Sequence, residues 1–214
     1  MNWRGLLYEG LRSVPRDRLV LFIDAQNLYK GACRAFFAPE AAHSDGQFQP
    51  MRIGNLICSR PPPNTIRSLE EVRVYTGRPD STKEPATYAA HMKQSLAWRR
   101  AGATVIARPL RYPPDWPNSK AQQKGVDVAL AIDFVAYAID GKYDIGVIAS
   151  TDSDLIPALE FVQRRFSPPC RVEVVAWTSP RSRNRLSIPR SSIWCHWLDR
   201  NDYDSVSDPT DYNV

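Results

Sequence analysis

Residues 124–155 read KGVDVALAIDFVAYAIDGKYDIGVIASTDSDL, and this stretch decides the predicted fold. Its apolar residues recur every three to four positions, which predicts a buried helix. The predicted buried positions are Val128, Ala131, Ile132, Val135, Tyr137 and Ile139. Asp140-Gly141 ends the helix, and the β-branched run from Tyr143 to Ala149 predicts a buried strand. A helix followed by a core strand is the repeating unit of an α/β fold.

Acidic residues stand at the ends of these elements. Asp127 lies at the helix start, and Asp152 and Asp154 follow the strand directly. Upstream, residues 19–30 read LVLFIDAQNLYK, a core strand that ends in Asp24 and leads into a helix opening near Asn27. Ligands of open α/β sheets collect at the carboxyl ends of the strands. We therefore expect the four carboxylates to converge.

Such a convergence requires a counter-charge, because neighbouring carboxylates raise one another's pKa. Mg²⁺ or Mn²⁺, which prefer oxygen ligands, would supply it. Each acid also has a structural interpretation: Asp127 as a charge at the positive end of a helix dipole, Asp24 and Asp152 as helix N-caps. Asp133 lies six residues after Asp127 and so about 120° around the helix. We expect it to be structural rather than a ligand of the same ion.

Three motifs resemble the NYN domain of the PIN-like nuclease superfamily, in particular its LabA-like branch. They are Asp24-Ala25-Gln26-Asn27, Lys124-Gly125-Val126-Asp127 with Asp133, and Ser150-Thr151-Asp152-Ser153-Asp154-Leu155. Their order and chemistry agree with the family pattern over roughly residues 19–177. Thr151 stands where the family usually has Gly, and Leu155 where it usually has Phe.

The resemblance implies a metal-dependent endoribonuclease that cleaves single-stranded RNA through a metal-activated water. The implied metal ligands are Asp24, Asp127, Asp152 and Asp154, with Asn27 completing the catalytic set by orienting a water or a carboxylate. From their chemistry, Lys124 and Ser150 are candidates for contact with substrate phosphate, and a solvated turn lysine is the equal alternative for Lys124. The alternative is a catalytically inactive relative that binds RNA or protein, which Thr151 would favour by crowding the backbone beside the metal.

The remaining sequence alternates strands and helices, which predicts a three-layer α/β/α sandwich with a mainly parallel, Rossmann-like central sheet. We expect one domain over residues 19–198, preceded by an N-terminal arm or helix (1–18) and followed by an acidic tail (199–214). Residues 38–70, with three consecutive prolines and a short helix, indicate an insertion. It is a surface elaboration, a substrate lid or a contact in a homodimer.

Charge is unevenly distributed along the chain. The net charge is +5, but five aspartates and one arginine follow residue 198, so residues 1–198 carry +9. A basic body favours a polyanionic partner. The loop of residues 109–124 places Arg111 beside Tyr112 and Trp116, a mixture suited to single-stranded nucleic acid because aromatic rings stack on bases. A solvated surface with partly buried aromatics is the alternative.

Other classes of protein fit less well. No stretch is long enough to span a membrane, and the N-terminal apolar run is too broken for a signal peptide, so we expect a cytoplasmic protein without membrane contact. Scattered cysteines and histidines do not suggest zinc. TOPRIM-type or phosphatase-type enzymes would have a Glu-Gly strand end or D-x-D-x-T at the first strand, and Asp24-Ala25-Gln26 provides neither.

Overall fold

The structure is a computed structural model that describes residues 16–40, 42–63 and 65–214. The predicted N-terminal arm falls mostly on residues 1–15, outside the described part of the chain. Its last two residues, Asp17 and Arg18, belong to the first strand.

The strands are β1 Asp17–Asp24, β2 Arg67–Arg78, β3 Thr104–Pro109, β4 Ile145–Ala149, β5 Arg171–Ser179, β6 Ser182–Arg183 and β7 Trp194–Leu198. The helices are α1 Ala25–Phe36, α2 Pro50–Ser59, α3 Pro85–Arg100, α4 Val126–Ile139, α5 Ile156–Phe166 and α6 Arg200–Val206. A 3₁₀ turn, Ser153–Leu155, precedes α5.

The sheet is mainly parallel and runs β3-β2-β1-β4-β5, with β7 parallel to β5 beyond it. The two-residue β6 is antiparallel and pairs only with the end of β5. After β3 the chain crosses back past β1 to form β4, so the direction of strand order reverses between β1 and β4. Reversal points of this kind are where open α/β sheets bind ligands. The predicted α/β fold with a mainly parallel sheet is confirmed.

Helices cover both faces of the sheet and bury two apolar layers. On one face, α1, α2 and α6 pack against the sheet together with Trp98 near the end of α3. On the other, α4 and α5 cover β1, β4 and β5. Phe22, in the middle of β1, packs edge-on against Phe134 of α4 with ring centres 5.3 Å apart. Helix α4 is therefore fixed directly over the strand that ends in Asp24.

The predicted buried face of α4 was wrong in part, although the helix itself is present. Of the predicted residues, Ala131, Val135 and Tyr137 are partly buried and pack against the core. The residues that face the core are Val126, Leu130, Phe134 and Ala138. Val128, Ile132 and Ile139 are instead exposed, with 54%, 61% and 59% of their surface accessible. Apolar residues lie almost all around this helix, so their spacing could not identify the side that meets the sheet.

Two segments, one predicted as an insertion within the domain and one as an acidic tail, contribute buried residues to the core. Ile53 and Ile57 of α2, within the predicted insertion, are fully buried in the same layer as β1. Tyr203 and Val206 of α6, within the predicted acidic tail, are buried there too. Asp199 and Asp202 form a capping box at the start of α6, which explains how an acidic segment starts a helix. Both segments therefore supply side chains to the apolar layer that covers β1.

None of the described helices is both long and apolar enough to cross a membrane.

Candidate active site

Sheet register and one glycine bring the acidic motifs together. Ile23 pairs with Ala149 in the parallel β1–β4 ladder, so Asp24 and Ser150 leave the sheet side by side. Gly125 precedes α4 with φ of +72°, a left-handed conformation that L side chains rarely adopt. This turn starts the helix so that Asp127 lies in its first turn. The left-handed backbone of this turn therefore explains why a glycine stands in the K-G-V-D motif.

A pocket of about 220 Å³ lies at this edge, and we call it the acidic pocket. Its lining residues are Asp24, Gln26, Asn27, Lys30, Gln123, Val126, Asp127 and Asp152. Three of the four carboxylates that were expected to converge therefore line the same pocket. The fourth, Asp154, is exposed on the 3₁₀ turn and does not line it.

Asp24 is the most buried of the three acids, at 8% exposure. Its Oδ1 accepts a hydrogen bond from the Asn27 backbone N–H (3.1 Å), which caps α1, and its Oδ2 accepts one from Ser150 Oγ (3.3 Å). Burial raises the pKa of Asp24, and the negative charges of Asp152 and Asp127 raise it further. The ionised form of Asp24 is therefore disfavoured by its burial and by the neighbouring acids.

Asn27 joins the first acidic motif to the third. Its Oδ1 accepts hydrogen bonds from the backbone N–H of Thr151 (2.9 Å) and from Thr151 Oγ1 (3.0 Å). Thr151 keeps a negative φ, so the residue causes no backbone strain where the family usually has Gly. Its hydroxyl instead adds a second bond to Asn27. The side chain that was predicted to orient a water or a carboxylate holds the loop that carries Asp152.

Ser150 supports the site from behind. It is 1% exposed, and its Oγ donates to Asp24 and accepts from the Asp152 backbone N–H (3.1 Å). This burial contradicts the predicted contact between Ser150 and substrate phosphate. Asp152 in turn accepts a bond from the Asp154 N–H through Oδ1 (3.1 Å), as an N-cap of the 3₁₀ turn. The structural interpretation of Asp152 as an N-cap is confirmed, and its role as a metal ligand stays a prediction.

The other predicted substrate residues lie outside the acidic pocket. Lys124 is exposed and does not line it. The Tyr112 hydroxyl accepts from the Asp80 N–H (2.9 Å), and its ring packs edge-on against Trp116 with centres 4.9 Å apart. Arg111 pairs through its backbone with Gln122. This pairing closes the loop, and the next residue, Gln123, lines the acidic pocket, so the loop leads to the site.

Lys30 and Arg108 are cations near the site, and of these the sequence did not single out Lys30. Lys30 lines the acidic pocket, and its spacing from Asn27, three residues along α1, was the signal that could have identified it. The Arg108 guanidinium lies beside the turn before α4, where a Cβ at Gly125 would meet its Nε at 3.7 Å. Lys30 therefore belongs to the acidic pocket itself, whereas Arg108 lies beside the turn that leads into α4.

Asp133 has a structural role, as predicted. Its Oδ2 accepts hydrogen bonds from Arg73 Nη2 (2.7 Å) and from the Tyr75 hydroxyl (2.7 Å), both on β2. This network anchors α4 to the sheet, away from the acidic pocket.

The acidic pocket offers only oxygen ligands among its acids and amides, which suits Mg²⁺ or Mn²⁺ and not a thiolate-seeking metal. As the side chains lie, no three His, Cys, Asp or Glu groups among the described residues are close enough to hold one ion together. Mg²⁺ commonly binds one or two carboxylates directly and keeps several waters. The raised pKa of Asp24 and this donor set therefore fit a partly hydrated divalent cation.

Comparison with known proteins decides the family, since the model of the NYN domain matches residues 18–188. The chain belongs to the NYN domain family. NYN domains are part of the PIN-like nuclease superfamily and are in general hydrolytic nucleases acting on RNA. None of the curated proteins compared with the chain matches it.

A solved structure agrees with the fold of this NYN domain. It is the crystal structure of VPA0982, a protein of unknown function from Vibrio parahaemolyticus RIMD 2210633. The match has a TM-score of 0.50 and 19% sequence identity, and it covers 78% of this chain and 85% of the other. This likeness supports the architecture alone.

Proposed function

We propose that this NYN domain is a Mg²⁺- or Mn²⁺-dependent endoribonuclease that hydrolyses phosphodiester bonds in single-stranded RNA. The observation that carries the proposal is the acidic pocket at the strand-order reversal, with Asp24, Asp127 and Asp152 around one opening. Because the pKa of Asp24 is raised by burial and by its acidic neighbours, a divalent cation would lower the energy of the site.

The residues around the pocket have separate tasks. Asp24, Asp127 and Asp152 would hold the cation, which when bound supplies an activated water and neutralises phosphate charge. Ser150 and Asn27 fix Asp24 and the Asp152 loop in position through the hydrogen bonds described above. These fixed contacts limit how far the two carboxylates can move apart when substrate binds.

Substrate binding requires positive charge beside the acids, because carboxylates repel phosphate. Lys30 within the pocket and Arg108 beside the Gly125 turn supply it. The loop with Arg111, Tyr112 and Trp116 would extend the path with stacking surface for unpaired bases. Duplex RNA offers no such unstacked bases, which is why we propose a single-stranded substrate.

The inactive-relative alternative loses its main support. It depended on Thr151 crowding the metal, whereas the structure gives Thr151 an unstrained backbone and two hydrogen bonds to Asn27.

The test is cleavage of an end-labelled single-stranded RNA panel with Mg²⁺, with Mn²⁺ and with a chelator. We expect cleavage only with metal. Asp127→Asn and Asp152→Asn should each reduce the rate by at least about 100-fold, since each removes a ligand. Asp140→Asn, at the exposed far end of α4, is the matched control and should keep the wild-type rate. Cleavage that survives in chelator, or in both variants, would refute the proposal.

Calorimetry separates binding from chemistry. Asp152→Asn should weaken Mn²⁺ binding, whereas Asp154→Asn should weaken it less because Asp154 does not line the pocket. Without metal, Asp152→Asn should raise the melting temperature by removing a charge that opposes ionisation of Asp24. Equal Mn²⁺ affinity in wild type and Asp152→Asn would remove Asp152 from the ligand set.

A further inference from the structure

A second cavity, of about 420 Å³, adjoins the acidic pocket. Gln26 lines both, and Ala25, which directly follows Asp24, lines the second. Thr76, near the carboxyl end of β2, forms another part of its wall. The cavity therefore opens at the same edge of the sheet as the acids, one strand further along. Its volume is in the range of small-ligand pockets.

The lining of this cavity is polar but carries few charges. Four amide side chains line it, those of Gln26, Gln47, Gln94 and Asn213, and we call it the amide cavity. None of its described lining residues is Lys, Arg, Asp or Glu. Such a lining does not select a phosphate or a metal ion. Amides present both donors and acceptors, so they suit a neutral ligand with both kinds of group.

Trp98 lines the cavity with a mostly buried indole whose donor is unsatisfied. It is 3% exposed and stacks on Phe48 with ring centres 5.9 Å apart and planes 15° apart. Its buried indole Nε1–H has no hydrogen-bond partner among the described residues. A buried donor without an acceptor costs about 1–3 kcal/mol, so such a group usually has a partner in the working protein. A ligand acceptor in the amide cavity would be that partner once the indole turns its N–H toward the cavity.

We propose that the amide cavity is a nucleobase subsite, which receives an unstacked base of the RNA whose phosphate lies at the acidic pocket. This inference rests on the proposed nuclease function. A nucleobase is planar and neutral, and it carries the ring-nitrogen or carbonyl acceptors that the Trp98 N–H requires and the donors that amide oxygens accept. Single-stranded RNA is recognised through splayed bases in this way. The subsite would make cleavage depend on the base beside the cut.

The direct test follows the indole N–H of Trp98 by ¹H–¹⁵N NMR, with through-bond assignment among the six tryptophans. Metal-free protein is titrated with adenosine, guanosine, cytidine and uridine, which carry no phosphate. We expect at least one nucleoside to shift the Trp98 indole resonance in a saturable manner. The indole resonance of Trp194, exposed on β7 and absent from the cavity lining, should stay in place.

Two variants test the contacts. Trp98→Phe keeps an aromatic ring against Phe48 but removes the N–H, and Gln94→Leu removes one amide of similar size. Each should weaken the preferred nucleoside about two- to twelvefold, the loss expected for one hydrogen bond. Trp194→Phe is the matched control and should bind as wild type does. Should Trp98→Phe fail to fold, Gln94→Leu and the wild-type titration still decide the question.

Cleavage of four homopolymeric RNA strands gives an independent readout. Wild type should prefer the strand whose nucleoside bound best, and Gln94→Leu should reduce that preference. If wild type cleaves no strand, the nuclease proposal fails while the nucleoside titration still tests the subsite. The subsite is refuted if no nucleoside moves the Trp98 indole resonance, or if Gln94→Leu binds the preferred nucleoside as tightly as wild type.

Discussion

Replacing Asn27 by Ala tests the link between the first and third acidic motifs. The change removes the acceptor of two hydrogen bonds, of 2.9 and 3.0 Å from Thr151 N and Oγ1. Each bond contributes about 0.5–1.5 kcal/mol to the free energy of unfolding, so losing both lowers it by about 1–3 kcal/mol. Ala is a better helix former than Asn by about 0.5 kcal/mol, which offsets part of this. The expected net loss is about 0.5–2.5 kcal/mol.

Urea unfolding measures this loss, and a double-mutant cycle assigns it to the Thr151 contact. Thr151→Val alone removes the hydroxyl bond and should cost about 0.5–1.5 kcal/mol. In the Asn27→Ala background the same change should cost almost nothing, because its partner has gone. Asn118→Ala, in an exposed loop, is the control and should stay within about 0.5 kcal/mol of wild type. The link would be refuted if the stability losses of Asn27→Ala and Thr151→Val add up in the double variant. It would also be refuted if Asn27→Ala loses no more stability than the Asn118→Ala control.

Three further predictions concern charge. Arg67 donates two hydrogen bonds of 2.9 and 3.0 Å to buried Glu173, which also contacts His196. Glu173→Gln should lower the free energy of unfolding by about 3–5 kcal/mol, because the buried guanidinium loses its charged partner. Burial alone would raise the pKa of Glu173, but bonds from His196 and Arg67 lower it overall below its usual 4.5. Wild-type stability should therefore fall as pH drops below about 4.5, and titration of unfolding in Glu173→Gln should show a shallower acid slope. Lys30→Ala should weaken RNA binding and make the plot of log binding constant against log salt concentration shallower by about 0.7. Lys142→Ala, at the opposite edge of the sheet, is the control and should change neither quantity. Equal slopes in Lys30→Ala and wild type would exclude Lys30 as a phosphate contact. Across the same salt series Arg111→Ala should reduce the slope, and Trp116→Ala should weaken binding with little change in slope; if both bind as wild type does, the loop is not part of the RNA path.

The sequence predicted those features that depend on local pattern. The β-branched runs before Asp24 and Ser150 identified two core strands, and parallel neighbours bring their ends to one edge. Gly125 marked the start of α4 and hence the position of Asp127. Asp133 was separated from the site by helical spacing alone. In each case a short stretch of chain contains the information.

Features that depend on contacts between distant segments could not be predicted in the same way. The buried side of α4 is set by Phe22 and the neighbouring strands, whereas the helix is apolar on nearly all sides. Ser150 is buried because its hydroxyl bonds to Asp24, a residue far away in the sequence, so its local motif wrongly suggested an exposed phosphate contact. The amide cavity draws residues from α1, α3 and the C-terminal segment, so no motif marks it.

The central claim is that Asp24, Asp127 and Asp152 hold a divalent cation at the strand-order reversal. Crystals soaked in Mn²⁺ and measured at the manganese absorption edge test it most directly. We predict one anomalous peak within ligand distance of at least two of these three carboxylates, and its loss in crystals of Asp152→Asn soaked in the same way. A peak bound elsewhere, or none in an enzyme that cleaves RNA under the same conditions, would contradict the claim.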